Sequence, residues 1–166
     1  MSSIIVYFSR KGNNYVNGTI KNLTTGNAEV IANMLQELTN ADIFKIEPVI
    51  PYSSDYSECI EEAKEDKRHN ARPELKSYPE NMDKYDTIYL GYPNYWGTMP
   101  MAVFTFLEKY NLSGKTIKPF CTHEGSGMGS SESDIKSVSN NSDVKQGLPV
   151  HGANITKAQL EKWINL

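Results

Sequence analysis

Ile4-Ile5-Val6-Tyr7-Phe8 is an unbroken apolar run near the start of the chain. A strand with one wet face alternates apolar and polar residues. A run without alternation fits a strand buried on both faces, as in a parallel sheet covered by helices. The rest of the chain repeats strand and helix signals in turn. Val30, Ile31, Met34, Leu35 and Leu38 recur at helical spacing and predict a helix of about three turns. Ile43-Phe44-Lys45-Ile46 reads as a second strand, stopped by Pro48 and Pro51. Residues 55–68 are highly charged, with Cys59, Ile60 and Ala63 on one face, and read as a solvated surface helix. Residues 70–85 carry Pro73 and Pro79 and read as a loop. Thr87-Ile88-Tyr89-Leu90 is the third strand, and Ala102, Val103, Phe106, Leu107 and Tyr110 mark the next helix. Residues 116–121 form a fourth strand, in which Pro119 cannot donate to a ladder and implies a bulge or an unpaired position. A helix over 131–138, a weak fifth strand over 144–150 and a final helix lined by Leu160, Trp163 and Ile164 complete the series.

Such alternation predicts a three-layer, doubly wound α/β sandwich with right-handed crossovers. With 166 residues the chain suits a single domain. One segment departs from the alternation. Tyr15-Val16-Asn17-Gly18-Thr19-Ile20 places Asn-Gly between strand formers, the signature of a type I′ turn. A hairpin inserted at about 11–24 is the expected reading, with an irregular excursion as the alternative.

Composition narrows the function. A net charge of −3 argues against nucleic acid as a partner, and no apolar stretch is long enough to span a bilayer. Met1-Ser2-Ser3 leads straight into strand residues, so no signal peptide is expected. Cys59 and Cys121 stand far apart and form no CxxC, which suggests free thiols in a reducing cytoplasm. With no HExxH and no Cys/His cluster, no metal is expected.

Ligands of doubly wound sheets bind beyond the carboxyl ends of the strands. Three loops at that edge draw attention. The first begins at Ser9-Arg10 and resumes, after the insertion, at Thr24-Thr25-Gly26-Asn27-Ala28, where a helix start offers unpaired amides to an anion. On its own this loop reads as an ordinary helix start capped by Thr25 or Asn27; the other two loops turn the reading towards a phosphate. The second, Gly91-Tyr92-Pro93-Asn94-Tyr95-Trp96-Gly97-Thr98-Met99-Pro100, carries aromatics that are costly to expose unless they cover something flat. The third is Thr122-His123-Glu124-Gly125-Ser126-Gly127-Met128-Gly129. Together they suggest one site for a planar, phosphorylated cofactor. Gly114-Lys115-Thr116 is no P-loop, because Lys109 stands where the first glycine is required and the triplet leads into a strand.

These motifs, in this order, resemble the flavodoxin family. Tyr7-Phe8-Ser9 with Thr25-Gly26-Asn27 looks like a split form of its phosphate loop, and the second and third loops are similar to those of short bacterial flavodoxin-like proteins. The resemblance implies a five-stranded parallel sheet of order 2-1-3-4-5 and non-covalently bound flavin mononucleotide (FMN). It implies that Ser9, Thr25, Asn27 and the amides of Gly26 and Ala28 hold the phosphate. Arg10 either adds charge there or is solvated. Pro93, Asn94, Tyr95, Trp96 and Gly97 would border the ring, with Tyr95 or Trp96 stacking on it, and Thr122, His123, Gly125 and Ser126 would form the other wall. Ala28 departs from the usual threonine and removes one hydroxyl. The implied function is electron transfer to a redox partner protein, or a small FMN-dependent oxidoreductase acting on a quinone or similar acceptor. A flavin-free binding module on the same fold is the alternative.

Overall fold

The computed structural model describes residues 2–166. Its first strand, β1 (Ser2–Tyr7), alternates between two cores even though every inner residue is apolar. Ile4, Val6 and Phe8 enter one buried cluster, Ile5 and Tyr7 the other. This is why the run lacks polar residues: neither face meets water. Burial of each such side chain contributes about 1.5–3 kcal/mol.

The chain then forms a separate two-stranded antiparallel ribbon, β2 (Gly12–Val16) and β3 (Thr19–Leu23). Asn17 and Gly18 at its tip have φ of 50° and 87°, the two positive values of a type I′ turn. Helix α1 (Asn27–Thr39) follows, then β4 (Asp42–Lys45), α2 (Tyr56–Arg68), a short 3-10 turn at Met82–Lys84 and β5 (Tyr85–Pro93). After these come α3 (Met101–Glu108), β6 (Thr116–His123), α4 (Ser131–Val138), β7 (Asp143–Val144), β8 (Leu148–His151) and α5 (Lys157–Ile164).

The main sheet runs β4-β1-β5-β6, and both β7 and β8 pair with the outer edge of β6; every pairing is parallel. One core packs β1 and β5 against α3 and Ile135 of α4. The other packs Ile5, Tyr7 and Tyr89 against Ile31 and Leu35 of α1 and Leu160 and Trp163 of α5. These are the three layers.

Four features differ from the sequence reading. Strand β5 extends through Pro93, so Gly91-Tyr92-Pro93 belong to the strand and Tyr92 is buried. Gly91 permits this, because a β-carbon there would lie 2.1 Å from the ring of Phe120, its partner on β6. Strand β6 likewise runs on to His123. The fifth strand is two pieces: β7 pairs as far as Ile117 and β8 starts at Phe120, leaving Pro119 opposite the gap, where its missing N–H costs no ladder bond. Finally, α2 is not merely a solvated helix. Asp55 caps it by accepting from Glu58 N, and Cys59 and Ala63 on its inner face are buried.

Lys118 on β6 is the buried cation of the sheet. Its ammonium donates to the carbonyls of Trp163 and Ile164 (3.2 and 2.8 Å), closing the negative end of α5. Burial holds its pKa below the ordinary value.

Candidate functional site

The first loop is assembled by a close meeting of Ser9 and Gly26. Gly26 caps α1 in an extended conformation and has no side chain to cap with. The Ser9 hydroxyl takes over by accepting from Glu29 N at 3.1 Å. Val30 N bonds the Gly26 carbonyl, while among the described residues no acceptor takes the N–H of Asn27 or Ala28. The helix therefore presents two open amides and its positive end at the sheet edge, the arrangement that suits a phosphate. Ala28 is buried and offers no hydroxyl; the Asn27 side chain lines the cleft beside it.

The second loop is a tight turn. Tyr95 and Thr98 exchange backbone hydrogen bonds (2.8 and 3.3 Å), and Trp96 and Gly97 between them have φ of 55° and 87°. Asn94 fastens this turn to the third loop. Its Oδ1 accepts from Gly97 N, its Nδ2 donates to Gly127 O, both at 2.9 Å, and its own N–H donates to Thr122 O. Tyr95 packs edge-on against Phe8 and Tyr52, with ring centroids 5.8 and 5.9 Å away, and its hydroxyl lies 3.8 Å from the Cys59 sulfur. Burial raises that phenol well above its ordinary pKa. Trp96 stands at the rim, 45% exposed. Its indole N–H donates to Ile60 O of α2 at 2.8 Å, Lys64 lies 5.6 Å from its ring, and Lys67 bonds its carbonyl.

In the third loop, His123 Nδ1 accepts from Gly125 N at 2.9 Å, which leaves the proton of the neutral ring on Nε2. Burial and the neighbouring His151 hold its pKa below 6.5, partly opposed by Glu124. Glu124 Oε1 accepts from Asn17 N at the hairpin tip (3.2 Å), and its Oε2 lies 2.7 Å from His151 Nε2.

These loops enclose a cleft of about 590 Å³ at the carboxyl edge of the sheet. Of the residues singled out from sequence, Arg10, Asn27, Pro93, Asn94, Tyr95, Trp96, Gly97, Thr122, His123 and Ser126 line it. Ser9, Thr25, Gly26, Ala28 and Gly125 do not; Ser9 and Gly26 lie at the start of α1, where they shape the open amides. Arg10 is placed differently from either expectation. Its guanidinium donates to Ser53 O (2.8 and 3.2 Å) and to Asn13 O, so it is neither free in water nor committed to the phosphate end. Among the described residues no carboxylate pairs with it.

The sequence reading missed the other wall. Asn14 and Tyr15 of the hairpin, Glu124, and Tyr56, Cys59, Ile60 and Ala63 of α2 also line the cleft. The α2 residues recur at i, i+3, i+4 and i+7, one face of an otherwise charged helix. That stripe was the available signal, and it faces a ligand cleft as well as the core.

The family model described as Flavodoxin matches residues 4–166. The chain belongs to the flavodoxin family. Solved structures agree with this flavodoxin fold throughout. A protein assigned as a flavoprotein from Bacteroides eggerthii is 27% identical, with a TM-score of 0.81 over 99% of this chain and 96% of that one. Another, from Bacteroides uniformis, is 24% identical, with a TM-score of 0.77 over 99% and 98%. The flavoprotein of Lactobacillus acidophilus, solved in complex with FMN, is 16% identical, with a TM-score of 0.68 over 98% of each chain. No curated protein matches the chain.

Proposed function

We propose that this flavodoxin-family protein binds FMN non-covalently in the cleft and serves as a small redox protein, delivering electrons to a quinone-like or similar small acceptor. One observation carries the reading: a single cleft has Asn27, the first residue of α1, at one end, next to the open amides of the helix start, and aromatic and imidazole side chains at the other. The residues fit the group. The N–H of Asn27 and Ala28 would receive the phosphate, and the Ser9 hydroxyl, which uses its oxygen on Glu29 N, keeps its proton to donate. A flavoprotein of the same fold, solved in complex with FMN, supports the same assignment.

Bound FMN supplies the reversible electron acceptor, and the chain supplies binding, orientation and electrostatics. Among the described residues Glu124 is the one carboxylate lining the cleft; its Oε1 accepts a backbone N–H, and its Oε2 lies 2.7 Å from His151 Nε2. Arg10 and the Lys64–Lys67 pair beside Trp96 are cations. This balance favours added negative charge on a reduced ligand, and with a net charge of only −3 it supports a small-molecule acceptor over a carrier that docks through a strongly acidic face. Two buried free thiols suit a reducing cytoplasm, and no helix among the described residues is long and apolar enough to cross a membrane.

The test is the absorption spectrum of the purified protein, with identification of any flavin released by heat. Flavin bands and released FMN are expected. A colourless protein that FMN cannot reconstitute would leave a flavin-free binding module on this fold.

A further inference from the structure

The hairpin β2–β3 belongs to neither core, and an isolated two-stranded ribbon is marginal in water. Three ties hold it. At its base, Arg10 donates to Asn13 O and Ser53 O, and Asn13 N donates to Ser54 O at 3.4 Å. In the middle, the ring of Tyr15 stacks on that of Tyr56, the first residue of α2, with centroids 6.0 Å apart and planes 28° apart. At its tip, Asn17 N donates to Glu124 in the loop after β6. The ribbon thus runs from the loop before α2 to the third loop, and its Asn14 and Tyr15 line the cleft between.

We infer that the hairpin is a wall of the ligand cleft, in which Tyr15, stacked on Tyr56, covers a planar ring system, and Asn17–Glu124 latches that wall in place. Tyr15 is the residue that needs an explanation. It is a large aromatic, 42% exposed, held with one side against Tyr56 and lining the cleft. A flat ligand would remove its remaining surface from water and add an offset ring contact. The candidates from the second loop are less free to do this. Tyr95 is wedged between Phe8 and Tyr52, and the indole of Trp96 is tethered to α2. The latch matters because the third loop is anchored to the sheet by β6, whereas the ribbon has no packed core beneath it.

This inference rests on the FMN reading, and the experiment tells failure of one from failure of the other. Dissociation rates and constants of FMN and of riboflavin are measured by flavin fluorescence for the full chain and for Tyr15→Ala, Tyr15→Phe, Glu124→Ala and the control Lys21→Ala on the outer strand of the hairpin. If the unaltered protein binds no flavin, the FMN reading falls and this inference with it. If it binds, Tyr15→Ala is expected to speed release of both ligands by the same factor, about three- to tenfold. Tyr15→Phe should keep the original rate. Glu124→Ala should speed release of both ligands and hasten exchange of the Asn17 amide proton. Lys21→Ala should change neither. Release from Tyr15→Ala within about twofold of the original overturns the wall, and so does an equal acceleration by Lys21→Ala, which would indicate general loosening. An unchanged rate in Glu124→Ala overturns the latch.

Discussion

A β-carbon on Gly26 would stand 2.2 Å from the Ser9 hydroxyl oxygen and 2.6 Å from the Arg10 carbonyl, so the two halves of the split first loop meet only because position 26 has no side chain. Gly26→Ala is therefore expected to push the halves apart. Overpacking of this kind costs about 1–3 kcal/mol, visible as a lower urea midpoint together with weaker FMN binding. The double variant Ser9→Ala/Gly26→Ala should recover little, because the Arg10 carbonyl remains in the way. Full recovery would place the conflict on the Ser9 hydroxyl alone.

Ser9→Ala by itself removes the acceptor for Glu29 N and the proton offered to a phosphate. Loss of the cap costs about 0.5–2 kcal/mol of stability. Loss of a hydrogen bond to a charged group costs about 1.5–3 kcal/mol, a tenfold or greater rise in the FMN dissociation constant. Riboflavin affinity should hold, since riboflavin has no phosphate. Titrations of the two ligands side by side check this, and equal weakening would move the phosphate elsewhere.

The two tryptophans should report differently on binding. Trp96 lines the cleft at its rim, whereas Trp163 is buried on the far side of the sheet against Phe120 and Tyr89. Emission of Trp96, measured in Trp163→Phe, should be quenched strongly when FMN binds. Emission of Trp163, measured in Trp96→Phe, should be quenched less. Equal quenching would argue against a ring close to Trp96.

His123 gives a pH signature. Its folded pKa lies below 6.5, so it binds fewer protons folded than unfolded as pH falls through that value. Its contribution to stability is complete above 6.5 and is lost as pH falls towards the folded midpoint. A proton NMR titration should find the His123 midpoint under 6.5, and lower still in Glu124→Gln, where the carboxylate that opposes the shift is gone. In His123→Gln, the drop in urea midpoint on acidification should be smaller. A midpoint above 6.5 would contradict the burial seen here.

The elements built on local signals were legible in sequence. The apolar run of β1, the helical spacing of α1 and the Asn17-Gly18 turn each carry their own geometry in a few adjacent residues. What was not legible depended on residues far apart. Strand β5 runs past Gly91 because Phe120 of β6 occupies the space a side chain would take. Helix α2 looked like a solvated surface helix because its apolar stripe alone does not say that a hairpin and a cleft lie opposite it. Arg10 could be read from its place beside Ser9 either as added charge or as solvated, because nothing local shows that its guanidinium bonds the carbonyls of Ser53 and Asn13 while it lines the cleft. The site was readable where function demands a residue type beside a strand end, and unreadable where an insertion brings its own wall.

The split of the outermost strand affects how the molecule meets its own copies. An uninterrupted edge is a rail of unpaired amides on which a second chain can crystallise into a growing ribbon. Here one rail is only Asp143–Val144 and Leu148–His151, broken between them and carrying Pro149, and the opposite rail is the short β4, with Asp42 and Lys45 at its ends. The sheet thus ends on both sides in segments too short, interrupted or charged to template further addition. The break that Pro119 faces doubles as protection against edge-to-edge polymerisation.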